Sequence, residues 1–331
     1  MLDRFPRVHL AHLPTPLEPL TRLSRLLAGP ELWIKRDDQT GLATGGNKAR
    51  KLEFLLGDAQ QRGADVLITT GGPQSNHCRQ TAAAAAKMGL PVILALTGEA
   101  PATVNGNLLL DDLLGATVRW MGDVTWWDLP GRIEAIAEEQ RKAGRRPYVI
   151  PLGGSSPIGA LGYVAAMQEV MTQCAAQHVA FDRIVIASSS AGTQSGMLAG
   201  AALFGYAGQI TAISIGESAA ELKERVEALV PATLNLLGQV VAVDLRRVQA
   251  DDRYLGAGYA VVGAAEREAV RLLARTEGIL VGPVYTGRAL AGMFDMIRRG
   301  EIGPAERVLF WHTGDIAALF AYATELRQAT L

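Results

Sequence analysis

Short apolar runs alternate with longer amphipathic stretches along most of the chain. Residues 65–70 (DVLITT), 91–96 (PVILAL) and 183–187 (RIVIA) are apolar nearly throughout, which is typical of strands buried on both faces. In residues 49–62 the leucines recur instead at helical spacing. Strands that alternate with helices predict an α/β fold of parallel sheets with helices on both faces.

The same alternation extends over the rest of the chain. Further strands are predicted at 31–35, 117–121, 147–151, 209–215, 239–243 and 308–311. Further helices are predicted at 80–88, 107–114, 134–142, 159–173, 196–203, 219–229 and 264–277. Because no linker or repeat divides the 331 residues, we expect two open, twisted, parallel-sheet domains of three αβα layers that share chain crossings.

Composition and charge narrow the classes of protein. The 32 Lys and Arg residues nearly balance the 33 Asp and Glu residues, which argues against a nucleic-acid partner. The two cysteines, Cys78 and Cys174, are too few for a disulfide framework, and the five histidines lack the spacing of metal ligands. No signal peptide opens the chain, and no run of about 18 apolar residues predicts a membrane span. We therefore expect a cytoplasmic protein with no metal and no membrane partner.

Many of the 36 glycines fall in turns where a predicted strand meets a helix, and open α/β sheets bind ligands at such turns. In the first of these turns, Asn47 is placed to cap a helix. Lys48 then falls in the first turn of that helix, where the dipole is unfavourable for a cation. It is either a solvated surface charge or an amine kept uncharged to form a Schiff base. Lys51 lies on the same helical face and is placed to bind a phosphate.

Two further turns have the composition of anion sites. Ser75 and Asn76 follow glycines at the start of an Ala-rich helix, and they form either a plain cap or a site for a carboxylate or phosphate. Residues 187–196 carry small hydroxyl side chains and glycines, which suit a phosphate, although they form neither a P-loop nor a GxGxxG turn. Tyr285 and Thr313 follow strand-like runs and either line a site or pack structurally.

These motifs together carry a resemblance to a known family. GGNKARK (45–51), QSNHCRQ (74–80), SSAGTQSG (189–196), GYA (258–260), PVYTGR (283–288) and HTG (312–314) occur in this order. The chain resembles, nearly end to end, the pyridoxal 5′-phosphate enzymes with the tryptophan-synthase-β-like fold. Within them it is similar to the group of D-cysteine desulfhydrase and 1-aminocyclopropane-1-carboxylate (ACC) deaminase.

The resemblance implies how pyridoxal 5′-phosphate would be held. Lys48 would carry the cofactor as a Schiff base, Asn76 would hydrogen-bond its phenolic oxygen, and Thr313 would face its pyridine nitrogen. The cofactor-binding residues so implied are Lys48, Lys51, Asn76, Ser190, Ala191, Gly192, Thr193, Thr313 and Gly314.

The resemblance also implies catalytic and substrate-binding roles. Lys48 would remove the α-proton of a small amino acid. Ser75 would bind the substrate carboxylate, with Asn76 and His77 in the same loop. Tyr259 and Tyr285 would flank the substrate and assist proton transfer.

Thr286 bears on the reaction, because ACC deaminase-like sequences carry Glu at this position, directly after the tyrosine of the PVY motif. A neutral Thr313 at the pyridine nitrogen favours β-elimination in the same way. We therefore expect conversion of D-cysteine to pyruvate, ammonia and sulfide. The alternatives are an L-cysteate sulfo-lyase, with His77 or Arg79 as the cation for the sulfonate, an ACC deaminase, and a non-catalytic protein that binds the cofactor or an amino acid.

Four positions depart from the pattern of the group. Gly282 stands where the group usually has Asp, and Arg288 where it usually has Lys. Asp315 replaces the second glycine of HTGG, and Pro73 before Gln74 is uncommon. If Asp315 lies near the pyridine nitrogen, it would restore the acidic partner that Thr286 does not supply.

The resemblance finally implies a domain division and an assembly. Residues 1–47 and 164–331 would form a large cofactor-binding domain, and residues 48–163 a smaller inserted domain. The cofactor would lie between the two domains, and the chain would form a homodimer.

Overall fold

The computed structural model describes residues 1–126, 128–244 and 248–328. Its strands are β1 Leu17–Pro19, β2 Glu31–Arg36, β3 Val66–Gly71, β4 Val92–Leu96, β5 Thr117–Trp120, β6 Pro147–Val149, β7 Arg183–Ser188, β8 Gln209–Ser214, β9 Gln249–Asp251 and β10 Arg307–His312. Its helices are α1 Thr21–Leu27, α2 Lys48–Gln61, α3 Asn76–Met88, α4 Gly106–Leu113, α5 Leu129–Lys142, α6 Pro157–Gln177, α7 Gly192–Phe204, α8 Ala219–Leu236, α9 Ala264–Glu277, α10 Arg288–Arg298, α11 Ala318–Ala321 and α12 Ala323–Arg327. Within these residues no helix has both the length and the apolarity that crossing a bilayer requires.

The strands form two sheets. The larger sheet has the order β1-β2-β10-β7-β8-β9, and the smaller has the order β5-β4-β3-β6. All pairs in the smaller sheet are parallel, as are those of the larger sheet from β2 to β9. The α/β class with parallel sheets is therefore confirmed, with one difference: β1 pairs antiparallel to β2, so the larger sheet is mixed.

Alternate residues of the strands point into different hydrophobic layers. In β7, Ile184 and Ile186 pack with α6, α7 and α8, whereas Val185 and Ala187 pack with α9 and α10. In the smaller sheet, Leu67 faces helices α2 and α3, while its neighbours in β3 face α5. Both sheets are thus covered on two faces, which is why their strands read as continuous apolar runs.

One predicted strand is wrong. Residues 239–243 form no strand, and the edge strand next to β8 is β9, at Gln249–Asp251. Val240 is fully exposed and Val243 is only partly buried against the core, so this run lacks the fully buried face of the neighbouring strands. The strands of the smaller sheet all fall within the predicted inserted segment 48–163, and the domain division itself stays a prediction.

A buried ion pair joins α2 to the larger sheet. The guanidinium of Arg50 on α2 donates to both carboxylate oxygens of Asp37, at 2.9 and 2.8 Å, and also to Glu169 of α6. Asp37 further accepts from the Tyr163 hydroxyl at 2.6 Å and from the Trp311 indole at 2.8 Å. Burial alone would raise the pKa of Asp37, but the Arg50 guanidinium and its hydrogen bonds hold that pKa at about 2.

We expect Arg50→Met to lower the free energy of unfolding by about 3–5 kcal/mol, because Asp37 would stay buried without its cation. Chemical denaturation at neutral pH measures this loss. Arg62→Met is the matched control, since Arg62 is exposed and its contacts are a surface ion pair with Asp58, worth about 0–1 kcal/mol, and the face of the Tyr148 ring.

Acid unfolding gives a second check on the same pair. The folded pKa of Asp37 lies below the ordinary value of 3.8, so its contribution is fully present above pH 3.8 and is lost as the pH falls towards about 2. An Arg50→Met protein with the denaturation midpoint and acid stability of the parent would contradict this account.

Candidate functional site

A cleft of about 880 Å³, including its part open to solvent, lies where the carboxyl ends of strands from both sheets meet. The loops after β3, β6, β7, β8 and β10 all contribute to its lining. This is the position at which open parallel sheets place their ligand sites. Its lining residues are Asn47, Lys48, Gly71, Gly72, Ser75, Asn76, His77, Trp126, Leu152, Gly153, Ala187, Ser188, Ser189, Ser190, Ala191, Thr193, Gly216, Glu217, Tyr259, Tyr285 and Thr313.

Lys48 is the first residue of α2 and lies half-buried in this cleft. Burial lowers the pKa of its ammonium to about 8, and the carboxylate of Asp315 acts in the opposite direction. At pH 7 the amine is then neutral in about one molecule in ten, far more often than at the ordinary pKa of 10.5. Asn47 occupies the N-cap position, but its side chain does not cap the helix: its Nδ2 donates to Thr193 Oγ1 at 3.1 Å, across the cleft.

The N-terminus of α7 forms a small cradle. Gly192 begins the helix without a side-chain cap, and its N–H donates to Ser155 Oγ at 3.2 Å. The Ser155 hydroxyl donates in turn to Ser190 Oγ at 2.9 Å. A Cβ on Gly192 would lie 2.8 Å from Lys51 Nζ, so only glycine leaves this space open. Ala191, just before it, has a φ of +68°, a strained conformation typical of functional turns.

The cradle is electrostatically suited to an anion. Lys51 is buried, and its Nζ donates to the Gly153 carbonyl at 3.0 Å, with no carboxylate in ion-pair distance among the described residues. Burial and the nearby Lys48 ammonium lower the pKa of Lys51 well below its usual value. A buried cation at the positive end of a helix is favourable only when an anion joins it.

The loop after β3 presents Ser75 and Asn76. Ser75 caps α3, since its Oγ accepts from the Cys78 N–H at 3.2 Å, and it also lines the cleft. Asn76 Nδ2 donates to Asp315 Oδ1 at 2.6 Å, and Asn76 Oδ1 accepts from Asn107 Nδ2 at 3.0 Å. Both halves of the Asn76 amide are therefore fixed from behind the cleft.

His77 is buried and uncharged. Its Nε2 lies 2.8 Å from Thr69 Oγ1, whose own hydroxyl donates to the Ile150 carbonyl, so His77 Nε2 carries the hydrogen. Nδ1 has no partner within the described residues. Burial, and then the charges of Lys48 and Lys51, lower the His77 pKa well below 6.5, so His77 does not supply a cation.

Two tyrosines meet at one side of the cleft. The hydroxyls of Tyr259 and Tyr285 are 2.7 Å apart, and Tyr285 lies in the π-helical turn Pro283–Gly287. Burial raises the pKa of both phenols, so both stay protonated at neutral pH. Trp126 packs edge-on against Tyr259 with ring centroids 5.6 Å apart.

Two threonines form a second hydroxyl pair at the cleft. Thr313 lines the cleft, and its Oγ1 is 3.3 Å from that of the fully buried Thr286, which donates to the Gly314 carbonyl. Asp315 does not line the cleft but lies behind Asn76. Burial raises the Asp315 pKa to about 6, against the effect of its hydrogen bond from Asn76.

Most of the predicted site residues share this cleft. Lys51 and Gly192 lie at the cradle beneath the lining, and Gly314 packs its backbone against Gly46. The sequence analysis missed Trp126, Leu152, Gly216 and Glu217, whereas Asn47, Gly71, Gly72, Gly153, Ala187, Ser188 and Ser189 lie in its candidate turns without having been named as site residues. Glu217 follows β8 directly, so the strand-end rule applied to that strand would have found it.

A family model described as pyridoxal-phosphate-dependent enzyme matches residues 8–314. The chain belongs to this family. Its cofactor is therefore pyridoxal phosphate, and the cradle with its unpaired lysine provides what the phosphate requires.

Named relatives and solved structures agree with this membership. A D-cysteine desulfhydrase of Salmonella choleraesuis is 44% identical over 97% of both chains. A Pyrococcus abyssi protein, provisionally named an ACC deaminase, is 41% identical over 99% of this chain and 97% of its own. A crystal structure described as an ACC deaminase homologue covers 98% of this chain and 96% of its own, with a TM-score of 0.91 and 42% identity. The fungal L-serine ammonia-lyase of Rhizomucor miehei, 18% identical, covers 97% of this chain and 99% of its own with a TM-score of 0.69, and shares the fold.

We expect inorganic phosphate to stabilise the cofactor-free protein through Lys51. At ten times its dissociation constant, a bound phosphate adds about 1.4 kcal/mol to the free energy of unfolding. Lys51→Met should lose most of this gain, and without phosphate it should unfold no earlier than the parent, because a buried amine that burial and Lys48 disfavour in its charged form has been removed. Thermal unfolding with and without phosphate measures both effects.

Lys87→Met is the matched control, since Lys87 lies on the exposed end of α3. It should keep the full response to phosphate. An equal response in the Lys51→Met protein would show that phosphate binds elsewhere.

Proposed function

We propose that this enzyme catalyses α,β-elimination on a small amino acid, converting D-cysteine to pyruvate, ammonia and sulfide. The observation that carries the proposal is the charge pattern of the cleft: one lysine with a lowered pKa faces a pair of protonated tyrosines and an anion-binding loop. The relatives named D-cysteine desulfhydrase support the choice of substrate.

The proposed cofactor contacts follow the cleft. Lys48 carries the cofactor, and when bound the cofactor stabilises negative charge that develops at the substrate α-carbon. Asn76 offers its second Nδ2–H to the cofactor ring, and Thr313 faces the ring from the threonine pair. The phosphate is held by Lys51 together with the cradle residues Ser190, Ala191, Gly192 and Thr193. Gly314 lies next to Thr313 at the edge of the cleft.

The proposed substrate contacts lie on the other side. The N-terminus of α3 and the Ser75 hydroxyl receive the carboxylate, and His77 packs beside them as a neutral ring. Lys48 removes the α-proton. The Tyr259–Tyr285 pair then donates a proton to the departing sulfur, since both phenols keep their protons at neutral pH.

Three alternatives remain as outcomes of the test. L-Cysteate carries a second anion, but the cleft lining among the described residues has no arginine, His77 is uncharged, and Glu217 adds a negative charge. ACC deaminase is favoured by the names of two relatives, and the fully buried Thr286 opposes it because that position carries no carboxyl group. Cofactor binding without turnover would identify a binding protein.

The setting of the enzyme is also proposed. We infer a cytoplasmic homodimer with no nucleic-acid or membrane partner, in which residues 48–163 form a domain inserted between 1–47 and 164–331. Two free cysteines and a net charge of −1 support the compartment and the partners. Sedimentation of the loaded enzyme measures the assembly.

We expect D-cysteine to give equimolar sulfide and pyruvate in a panel with L-cysteine, L-cysteate, β-chloro-D-alanine, D-serine and ACC. Lys48→Ala should lower turnover at least about a thousand-fold, because it removes both the covalent attachment and the base. Lys87→Ala, an exposed lysine, is the control and should not change the rate. Formation of 2-oxobutyrate from ACC alone would overturn the proposal.

We expect Tyr285→Phe to reduce kcat for D-cysteine about 10–100-fold with a smaller change in KM, because the proton donor to sulfur is lost after substrate has bound. Tyr254→Phe is the matched control: its hydroxyl bonds Asp295, outside the cleft lining. Equal kcat values for the two variants would remove the tyrosine pair from the reaction. Steady-state kinetics of the enzyme with bound pyridoxal phosphate measures both kcat and KM.

A further inference from the structure

We propose that Asp315 is a positioning residue: its carboxylate holds the side-chain amide of Asn76 in one orientation. Asp315 has room to do so only because position 282 is a glycine. The proposal rests on the proposed role of Asn76 towards the cofactor. Asp315 and Gly282 lie behind the cleft and do not belong to the lining residues on which the proposed function rests.

The contacts of Asp315 join two parts of the site. Its Oδ1 accepts from Asn76 Nδ2 at 2.6 Å, and its Oδ2 accepts from the backbone N–H of Tyr285 at 3.3 Å. Asn76 begins α3, next to the smaller sheet, whereas Tyr285 lies in the π-helical turn before α10. One buried carboxylate thus fixes the distance between the cofactor-side amide and the tyrosine pair.

The surroundings allow the Asn76 amide only one orientation. Its oxygen accepts from Asn107 Nδ2 at 3.0 Å, and that same Nδ2 donates to the Gln74 carbonyl at 2.9 Å. A flipped amide would place its NH₂ against the donor on Asn107 and its oxygen against the Asp315 carboxylate. In the observed orientation one Nδ2 hydrogen bonds Asp315, and the second remains for the cleft.

Gly282 is required by the space that Asp315 occupies. Its φ of −70° is accessible to any residue, so its conformation does not demand glycine. A Cβ there would lie 2.5 Å from Asp315 Oδ2, and closer still to its Cγ and backbone oxygen. Positions 282 and 315 therefore direct side chains into the same volume, and only one of them has room for a carboxyl group.

This contact links two of the departures noted in the sequence. The chain has Gly at 282 and Asp at 315, and the group it resembles usually has the reverse pair. Asp315 also has a φ of +84°, a backbone conformation that favours glycine and strains any residue with a Cβ. A strained residue with a buried carboxyl group is retained where its contacts matter, here to Asn76 and Tyr285.

The electrostatic surroundings agree with this placement. Burial raises the Asp315 pKa to about 6, while its hydrogen bonds and the charges of Arg79 and Lys48 lower it. The phenols of Tyr259, Tyr285 and Tyr322 also face this carboxylate, and its charge contributes to their raised pKa values. Near neutral pH the carboxyl group is ionised and is an acceptor for Asn76.

The test is a double-mutant cycle on cofactor affinity. Asn76→Ala and Asp315→Gly should each raise the dissociation constant for pyridoxal phosphate about ten-fold, the value of a charge-assisted hydrogen bond. If Asp315 acts through Asn76, the double variant should be no weaker than Asn76→Ala alone. Asp315→Gly should also shift the visible absorption of the bound cofactor in the same direction as Asn76→Ala.

The exchange variant Gly282→Asp/Asp315→Gly tests the shared volume. It should recover a dissociation constant within about three-fold of the parent, whereas Gly282→Asp alone should not. His178→Gly controls for backbone strain, since His178 ends α6 at a φ of +54°, far from these contacts. It should leave cofactor affinity and absorption unchanged.

The outcomes separate the two proposals. No effect of Asn76→Ala on cofactor affinity would remove Asn76 from the cofactor site and this inference with it. A weakened Asn76→Ala with an unchanged or purely additive Asp315→Gly would overturn the positioning role of Asp315 while leaving the proposed reaction intact. The cycle decides even if the exchange variant does not fold.

Discussion

The ion pair between Arg50 and Asp37 is the contact on which the geometry of the cleft depends. Arg50 stands between Lys48 and Lys51 on α2, so fixing its guanidinium fixes the rotation of the helix that carries both lysines. The partners come from distant parts of the chain: Asp37 follows β2, Glu169 lies on α6 and Trp311 on β10. The backbone of α2 also packs directly against that of α6 at Gly162. A Cβ on Gly162 would lie 2.8 Å from the backbone nitrogen of Lys51. Neither lysine could turn away from the site without separating these charges.

Much of the fold can be predicted from the spacing of apolar residues along the sequence, because a strand that is buried on both faces is a continuous apolar run. The rule that ligands bind at the carboxyl ends of such strands also predicted where the site would be, and Lys48, Ser75, Ser190, Ala191 and Thr193 line one cleft. The antiparallel β1 and the edge strand β9 were not predicted: each is three residues long and has too few positions to show a pattern.

The position of Asp315 could not be derived from the sequence. Its φ is +84°, its carboxylate contacts Asn76, and it occupies the space that a side chain at position 282 would need. Gly282 and Asp315 are 33 positions apart in the sequence numbering, so their contact exists only once β10 and the turn before α10 are packed together. Likewise, a buried neutral His77 cannot be distinguished from a charged one until Thr69 and the two lysines surround it.

Arg79 connects helix α3 to the loop that precedes Lys48. Its guanidinium donates to the Ala43 carbonyl at 2.6 Å, to the Thr44 hydroxyl and to the Gly45 carbonyl at 3.1 Å, all in the loop that leads into Lys48. Arg79 lies on the first turn of α3, one turn after Ser75, which caps that helix. The loop before Lys48 and the start of α3 at Ser75 are therefore joined by the hydrogen bonds of Arg79. The same loop is tied to the end of β10, since the Asn47 N–H donates to the Thr313 carbonyl at 2.9 Å, so Arg79 connects the start of α3 both to the helix that carries Lys48 and to the larger sheet.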